Sequence, residues 1–139
     1  RGDLLALPLK PESVDAALCI HVLEHVDDDH AAIAELYRVL KPGGTAIVSV
    51  PIRLDQPTVE DPSVTDPQER ERLFGEPSHV RYYGADFVER LTAAGFDASM
   101  DAAADIPERE VQEYGLRRDE NIFVCIKPGA DSTDIRGCT

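Results

Sequence analysis

Two nearly continuous apolar runs, residues 15–20 and 45–50, flank a segment whose apolar positions repeat at helical spacing. Ile33, Leu36, Tyr37 and Leu40 fall at i, i+3, i+4 and i+7, which gives residues 30–40 one apolar face. Asp27, Asp28 and Asp29 precede it and supply a cap and favourable negative charge at a helix N-terminus. Arg38 and Lys41 complement the other end, and Pro42, Gly43 and Gly44 stop it. Apolar runs of this kind suit parallel strands covered on both faces. Residues 14–51 therefore predict one strand–helix–strand crossover.

The remaining pattern extends the alternation. Residues 1–9 read as the end of a short strand entering a loop. Residues 52–67 form a long loop punctuated by Pro57, Pro62 and Pro67, and residues 66–74 read as a short charged helix with Asp66 as cap and Pro67 in its first turn. Residues 75–84 read as irregular. Residues 85–94 repeat the amphipathic pattern with Phe87, Val88 and Leu91 inward and Gly95 as stop. Residues 96–100 and 121–127 predict strands, with a short helix after Pro107 between them. No long helix forces a parallel crossover there, so an antiparallel hairpin at the sheet edge is expected. Residues 128–139 are small and polar, a terminal tail of the kind that is disordered.

Composition narrows the classes. The 139 residues are 42% hydrophobic and 29% charged, which suits one domain with a real core. A formal net charge of -13 argues against direct binding to nucleic acid or an anionic membrane. Three cysteines, Cys19, Cys125 and Cys138, form no CxxC pair, and the first two sit in apolar runs as reduced, buried thiols would. With no membrane-length apolar run and no signal peptide, a cytoplasmic setting is expected. The first residue is Arg1 and the one methionine is Met100, so upstream sequence is expected.

Several local patterns occur in a fixed order: Gly2-Asp3 with Leu7-Pro8, Ser13-Val14-Asp15, His21-Val22-Leu23-Glu24-His25-Val26, Leu36-Tyr37-Arg38-Val39-Leu40-Lys41-Pro42-Gly43-Gly44 and Val50-Pro51. Together they resemble the class I S-adenosylmethionine-dependent methyltransferases, in the subgroup with a VLEH loop and an RVLKPGG turn. Glu60-Asp61, Phe74-Gly75, His79-Val80-Arg81, Tyr83-Gly84, Asp86, Gly115-Leu116 and Asn121-Ile122 extend the likeness toward a bacterial subset. It covers residues 1–127. The resemblance implies an α/β fold, a Rossmann-like doubly wound sheet, mostly parallel with an antiparallel C-terminal hairpin. It implies S-adenosylmethionine across the C-terminal strand ends. The Gly-rich loop and acidic ribose ligand of that family are absent, so the chain corresponds to a domain truncated at its N-terminus, holding strands four to seven.

The resemblance also implies site residues. Asp3 would accept a hydrogen bond from the adenine amino group, a role that suits a carboxylate, and Leu4 would offer its backbone N–H. Cys19, Ile20 and His21 would face the cofactor, chiefly through backbone, where ligands sit in open α/β sheets. His79 is a candidate general base and Arg81 a candidate clamp for an anionic acceptor. Glu24 and His25 read as loop-orienting or capping groups, since two residues do not make a metal site, and no metal is expected. Asp86 reads as the cap of the helix after it, and Glu60-Asp61 as solvated charge.

The reading is a methyltransferase acting on an unidentified acceptor, with no nucleic acid or membrane partner. The alternative is a non-catalytic half-domain that binds protein or self-associates through an exposed sheet edge. A nicotinamide-binding domain fares worse, because its fingerprint glycines are absent.

Overall fold

The computed structural model describes residues 3–102, 108–109, 112, 117 and 120–129. Among these, the strand–helix–strand unit is β1 (Val14–Ile20), a 3-10 turn (Leu23–His25), α1 (Asp29–Val39) and β2 (Leu40–Ser49). Asp28 is the residue of the acidic cluster that caps α1, accepting from the Ala31 N–H at 2.9 Å. Ala32, Ile33, Leu36 and Val39 are buried, as the helical spacing requires. Each large aliphatic side chain so buried contributes about 1.5–3 kcal/mol.

β2 starts five residues earlier than the apolar run suggests. Val14 pairs with Leu40 and Ala16 with Thr45, so one irregular step in β1 faces the whole Lys41–Gly44 stretch. Gly43 takes a φ of +80°, which only glycine adopts without strain. Its N–H donates to Lys127 O and the Lys127 N–H donates to Gly44 O. The buried Lys127 ammonium also donates to Tyr37 O and Leu40 O, satisfying carbonyls at the end of α1.

The larger sheet has the order β1-β2-β7-β6, with β6 at Asp97–Ala102 and β7 at Asn121–Ile126. β1 and β2 are parallel, whereas β2–β7 and β7–β6 are antiparallel. The fold is thus α/β with a mixed sheet, and the antiparallel C-terminal hairpin lies at its edge as expected. A second, smaller sheet has the order β3-β5-β4, from β3 (Ile52–Arg53), β4 (Val59–Glu60) and β5 (Arg81–Gly84). It gives order to stretches that the sequence pattern reads as loop. α2 (Pro67–Phe74) is capped by Asp66 and ends in left-handed Gly75, and α3 (Phe87–Ala93) follows β5.

Residues 3–6 do not continue a strand. They form a tight turn in which Ala6 N–H bonds to Asp3 O at 3.0 Å and Leu5 N–H to Asp3 Oδ1 at 3.0 Å. Asp86 does not cap α3 with its side chain either: its carboxylate accepts from the N–H and hydroxyl of Thr58. Gly84 permits this contact, because a Cβ there would lie 2.2 Å from Gln56 O. The core joins Leu23, Ile33, Leu40, Val48, Tyr83, Phe87, Leu91 and Phe123. Phe87 packs edge-on to Phe123 and tilted against Tyr83.

No described helix is long and apolar enough to cross a membrane. Glu108, Arg109 and Gln112 are helical, in keeping with the short helix expected after Pro107. The rest of that segment and the tail beyond Gly129 lie outside the described residues, as do Gly2, Gly115, Leu116 and Cys138.

Candidate functional site

Parallel β1 and β2 end side by side, with Ile20 in register with Ser49. The chain then turns sharply at His21, whose φ is +50° and whose N–H donates to Ser49 O at 2.9 Å. A non-glycine residue in this conformation costs energy, of order 1–3 kcal/mol, and such positions cluster at functional sites. Alternation along β1 turns Cys19 into the core and Ile20 outward, where it is 44% exposed. Burial, with the nearby Glu24 charge, pushes the Cys19 thiol up to about 11, so it is no ready nucleophile. The His21 imidazole is exposed, with Nδ1 3.5 Å from Glu24 Oε1 and Nε2 3.5 Å from Glu120 Oε1. Glu120 precedes β7, which runs antiparallel to β2 and so brings it to this end of the sheet. No sequence motif singles it out, since only the strand order carries it there.

Asp3 is exposed and Leu4 half-buried against the core. One Asp3 oxygen serves Leu5 N–H, and a carboxylate retains further acceptor positions. Asp3 thus offers an exposed acceptor, the chemistry an amine such as adenine's requires, and Ile20 an exposed aliphatic side chain at the end of β1.

His79 and Arg81 have a different environment from the one expected of catalytic groups. Arg81 is 4% exposed. Its Nε donates to Glu60 Oε2 at 2.9 Å, Nη1 to Leu23 O at 2.8 Å and to Val26 O, and Nη2 to Asp27 O at 2.8 Å. The guanidinium therefore stitches the 3-10 turn to β4 and β5. Binding an anionic acceptor would require it to abandon these bonds. His79 is also buried, and its Nδ1 lies 3.0 Å from Phe74 O.

Around Arg81 lies a charge network that runs from buried Asp29 out to partly exposed Glu60. Asp29 accepts from Tyr83 Oη at 2.7 Å and from Arg90 Nη1 at 2.8 Å, while Glu60 Oε1 accepts from Arg90 Nη2 at 2.7 Å. The Arg90 hydrogen bond, reinforced by Arg81, holds the Glu60 carboxyl down at about 2 against partial burial. Burial, with the Asp29 carboxylate, raises the Tyr83 phenol. Burial disfavours the Arg90 charge, but Glu60 and Asp29 outweigh it and raise its pKa. Glu60 is thus a structural partner rather than solvated charge. Beside the network is a cavity of about 670 Å³, lined by Asp27, His30, Asp61, Val64 and Arg70 among others.

Glu24 does not cap the 3-10 turn, which has no side-chain cap. Its side chain is buried, and its backbone oxygen accepts from Val80 N–H at 2.9 Å.

Comparison with known proteins adds an independent line. Residues 1–48 match the family model described as a methyltransferase domain. A probable S-adenosylmethionine-dependent methyltransferase of Mycolicibacterium smegmatis is 34% identical over 97 residues, covering 69% of this chain and 34% of that protein. The chain thus spans about a third or less of the length of the curated relatives it matches. Among solved structures, the YcgJ protein of Bacillus subtilis superimposes with a TM-score of 0.60 at 17% identity, covering 93% of this chain and 70% of that one. The [4+2]-cyclase SpnF superimposes with a TM-score of 0.55 at 21% identity, covering 92% of this chain and 54% of that one. At such identities the likeness is one of fold, and one fold hosts several chemistries. The family-model match spans β1, α1 and most of β2, the strand–helix–strand unit that leads to the strand ends.

Proposed function

We propose that this chain forms part of an S-adenosylmethionine-dependent methyltransferase whose cofactor lies across the C-terminal ends of β1 and β2. The observation that carries this reading is a coincidence of position. The methyltransferase-domain match ends at residue 48, and the strand ends it leads to, Ile20 and Ser49, open into the strained turn at His21. Ligands of open α/β sheets bind outside such strand ends.

In this reading Asp3 accepts from the adenine amine and Leu4 offers its backbone N–H. Cys19 contributes only backbone, Ile20 an apolar side chain, and His21 a polar edge. When bound, the cofactor supplies an activated methyl group. The protein's own contribution is to orient the acceptor and exclude water, and alignment alone can supply much of the rate. His79 and Arg81 act as positioning residues that fix the 21–25 loop. Titration calorimetry of the purified protein with S-adenosylmethionine tests the reading: saturable binding weakened by Asp3→Ala is expected, and no heat of binding would sink it.

One observation favours a second reading, a protein-interaction module. Leu18 is 77% exposed on β1, an edge strand among the described residues, and Leu5, Leu9 and Val22 are exposed as well. A row of unpaired backbone groups beside apolar side chains invites strand pairing. Light scattering distinguishes the readings, since a monomer with no partner removes the second.

A further inference from the structure

Glu24, His25 and His79 converge where the 3-10 turn meets the segment before β5. One ligand-capable atom from each lies within 4.8 Å of the other two. The two imidazole rings stand edge-on, 4.8 Å between centroids. His25 Nδ1 lies 3.3 Å from Ser78 O, and His79 Nδ1 lies 3.0 Å from Phe74 O. A carbonyl oxygen can only accept, so each Nδ1 carries the proton. In a neutral ring Nε2 then presents a lone pair. A backbone carbonyl behind Nδ1 is the arrangement that orients metal-binding histidines.

Those lone pairs face oxygen acceptors rather than donors. His25 Nε2 is 3.9 Å from Glu24 Oε1, and His79 Nε2 is 3.4 Å from Glu76 Oε2. The second Glu24 oxygen, Oε2, is buried without a hydrogen-bond partner among the described residues, on a side chain only 2% exposed. A buried carboxylate oxygen without a partner is costly. Two acceptor nitrogens and a desolvated carboxylate share one deficiency, which a cation between them would remove.

We propose that Glu24, His25 and His79 bind one divalent transition-metal ion of the zinc class. Imidazole and carboxylate ligands suit such an ion. Its bonds are about 2.0–2.2 Å long, so the ligands must draw inward from their present spacing. The exposed His25 ring can make that movement, since its one hydrogen bond among the described residues is the Nδ1 contact to Ser78 O and its other contacts are to the proposed co-ligands. The fourth position goes to Glu76 or to water. The ion ties the loop after β1 to the approach to β5, next to the turn that shapes the strand-end site.

The test uses the whole purified protein, stripped with chelator and titrated with Zn²⁺ and, for its visible absorption, Co²⁺. Expected are one ion per chain, ligand-field bands from bound Co²⁺ and a higher melting temperature with Zn²⁺. His25→Gln, at the surface, and Glu24→Gln each weaken Zn²⁺ binding by about tenfold or more, while His30→Gln, outside the cluster, leaves it unchanged. Far-UV circular dichroism of the metal-free variants verifies that they fold. Stoichiometry far below one ion per chain, or Zn²⁺ affinity that His25→Gln leaves unaltered, overturns the proposal.

Discussion

Two polar regions of this protein behave oppositely. Around Arg81 the charges are matched: buried Asp29 and partly exposed Glu60 both accept from Arg90, and Tyr83 and three backbone carbonyls complete the set. At the end of β1 the groups are exposed and sparse, Ile20 and then His21 on a strained turn, and Asp3 is exposed in the turn of residues 3–6. The contrast separates two uses of chemistry-bearing residues. Arg81, which looks like an anion clamp in the sequence, holds the scaffold. The candidate ligand site is made of strand ends, backbone and a few ordinary side chains.

The sharpest way to break this contrast is Arg81→Met. If the guanidinium is a scaffold element, its loss leaves buried carboxylates and carbonyls unmatched and costs about 3–5 kcal/mol in urea unfolding. A variant of normal stability with impaired acceptor binding would move Arg81 to the other region. Asp3→Ala should do the reverse. It should leave unfolding unchanged and weaken S-adenosylmethionine binding by about tenfold, the scale of one hydrogen bond to a charged group, as calorimetry would register.

Acid titration of stability sharpens the matched side. The Glu60 carboxyl is depressed in the fold from 4.5 to about 2. A depressed folded pKa gives stabilisation that is full above the unfolded value and is lost as pH falls through the folded one. The acid limb between pH 4.5 and about 2 should therefore flatten in Glu60→Gln. Because its side chain is 38% exposed, solvent screening makes the effect smaller than the shift alone implies. The smallest effect is expected at Leu18→Ser, within about 0.5 kcal/mol, since an exposed side chain contributes little to folding. A much larger loss, or a change in oligomer size, would show that the β1 face is covered in solution.

Local pattern reached some of this architecture and missed the rest for identifiable reasons. The helical spacing of Ile33, Leu36 and Tyr37, the Asp28 cap, and the Asp66-Pro67 start of α2 are signals held within a few residues. The edge hairpin was legible because no long helix intervenes between its strands. β3, β4 and β5 were not, because strands of two to four residues lack a period and exist through pairing. Asp86 reads as a cap, but Thr58, 28 residues away, is its partner, brought close over Gly84.

The candidate site divides in the same way. Ile20 and His21 were legible as strand-end positions because their motif is contiguous with the strand it ends, whereas Asp3 was singled out only by the family resemblance. Glu120 beside His21, Lys127 beneath the end of α1, and His79 beside Glu24 and His25 were not, because each meets its neighbours only through sheet order or loop packing.

By itself the sequence determined the α/β alternation, the β1–α1–β2 crossover and the methyltransferase likeness, since periodicity, caps and motifs act over short separations along the chain. The tertiary structure alone decided which polar residues are buried partners and which face solvent. It sent Arg81 and Glu60 into the scaffold and gathered Glu24, His25 and His79 into one cluster. Burial and hydrogen-bond partnership belong to residues distant in sequence, and only folding brings them within a few ångströms.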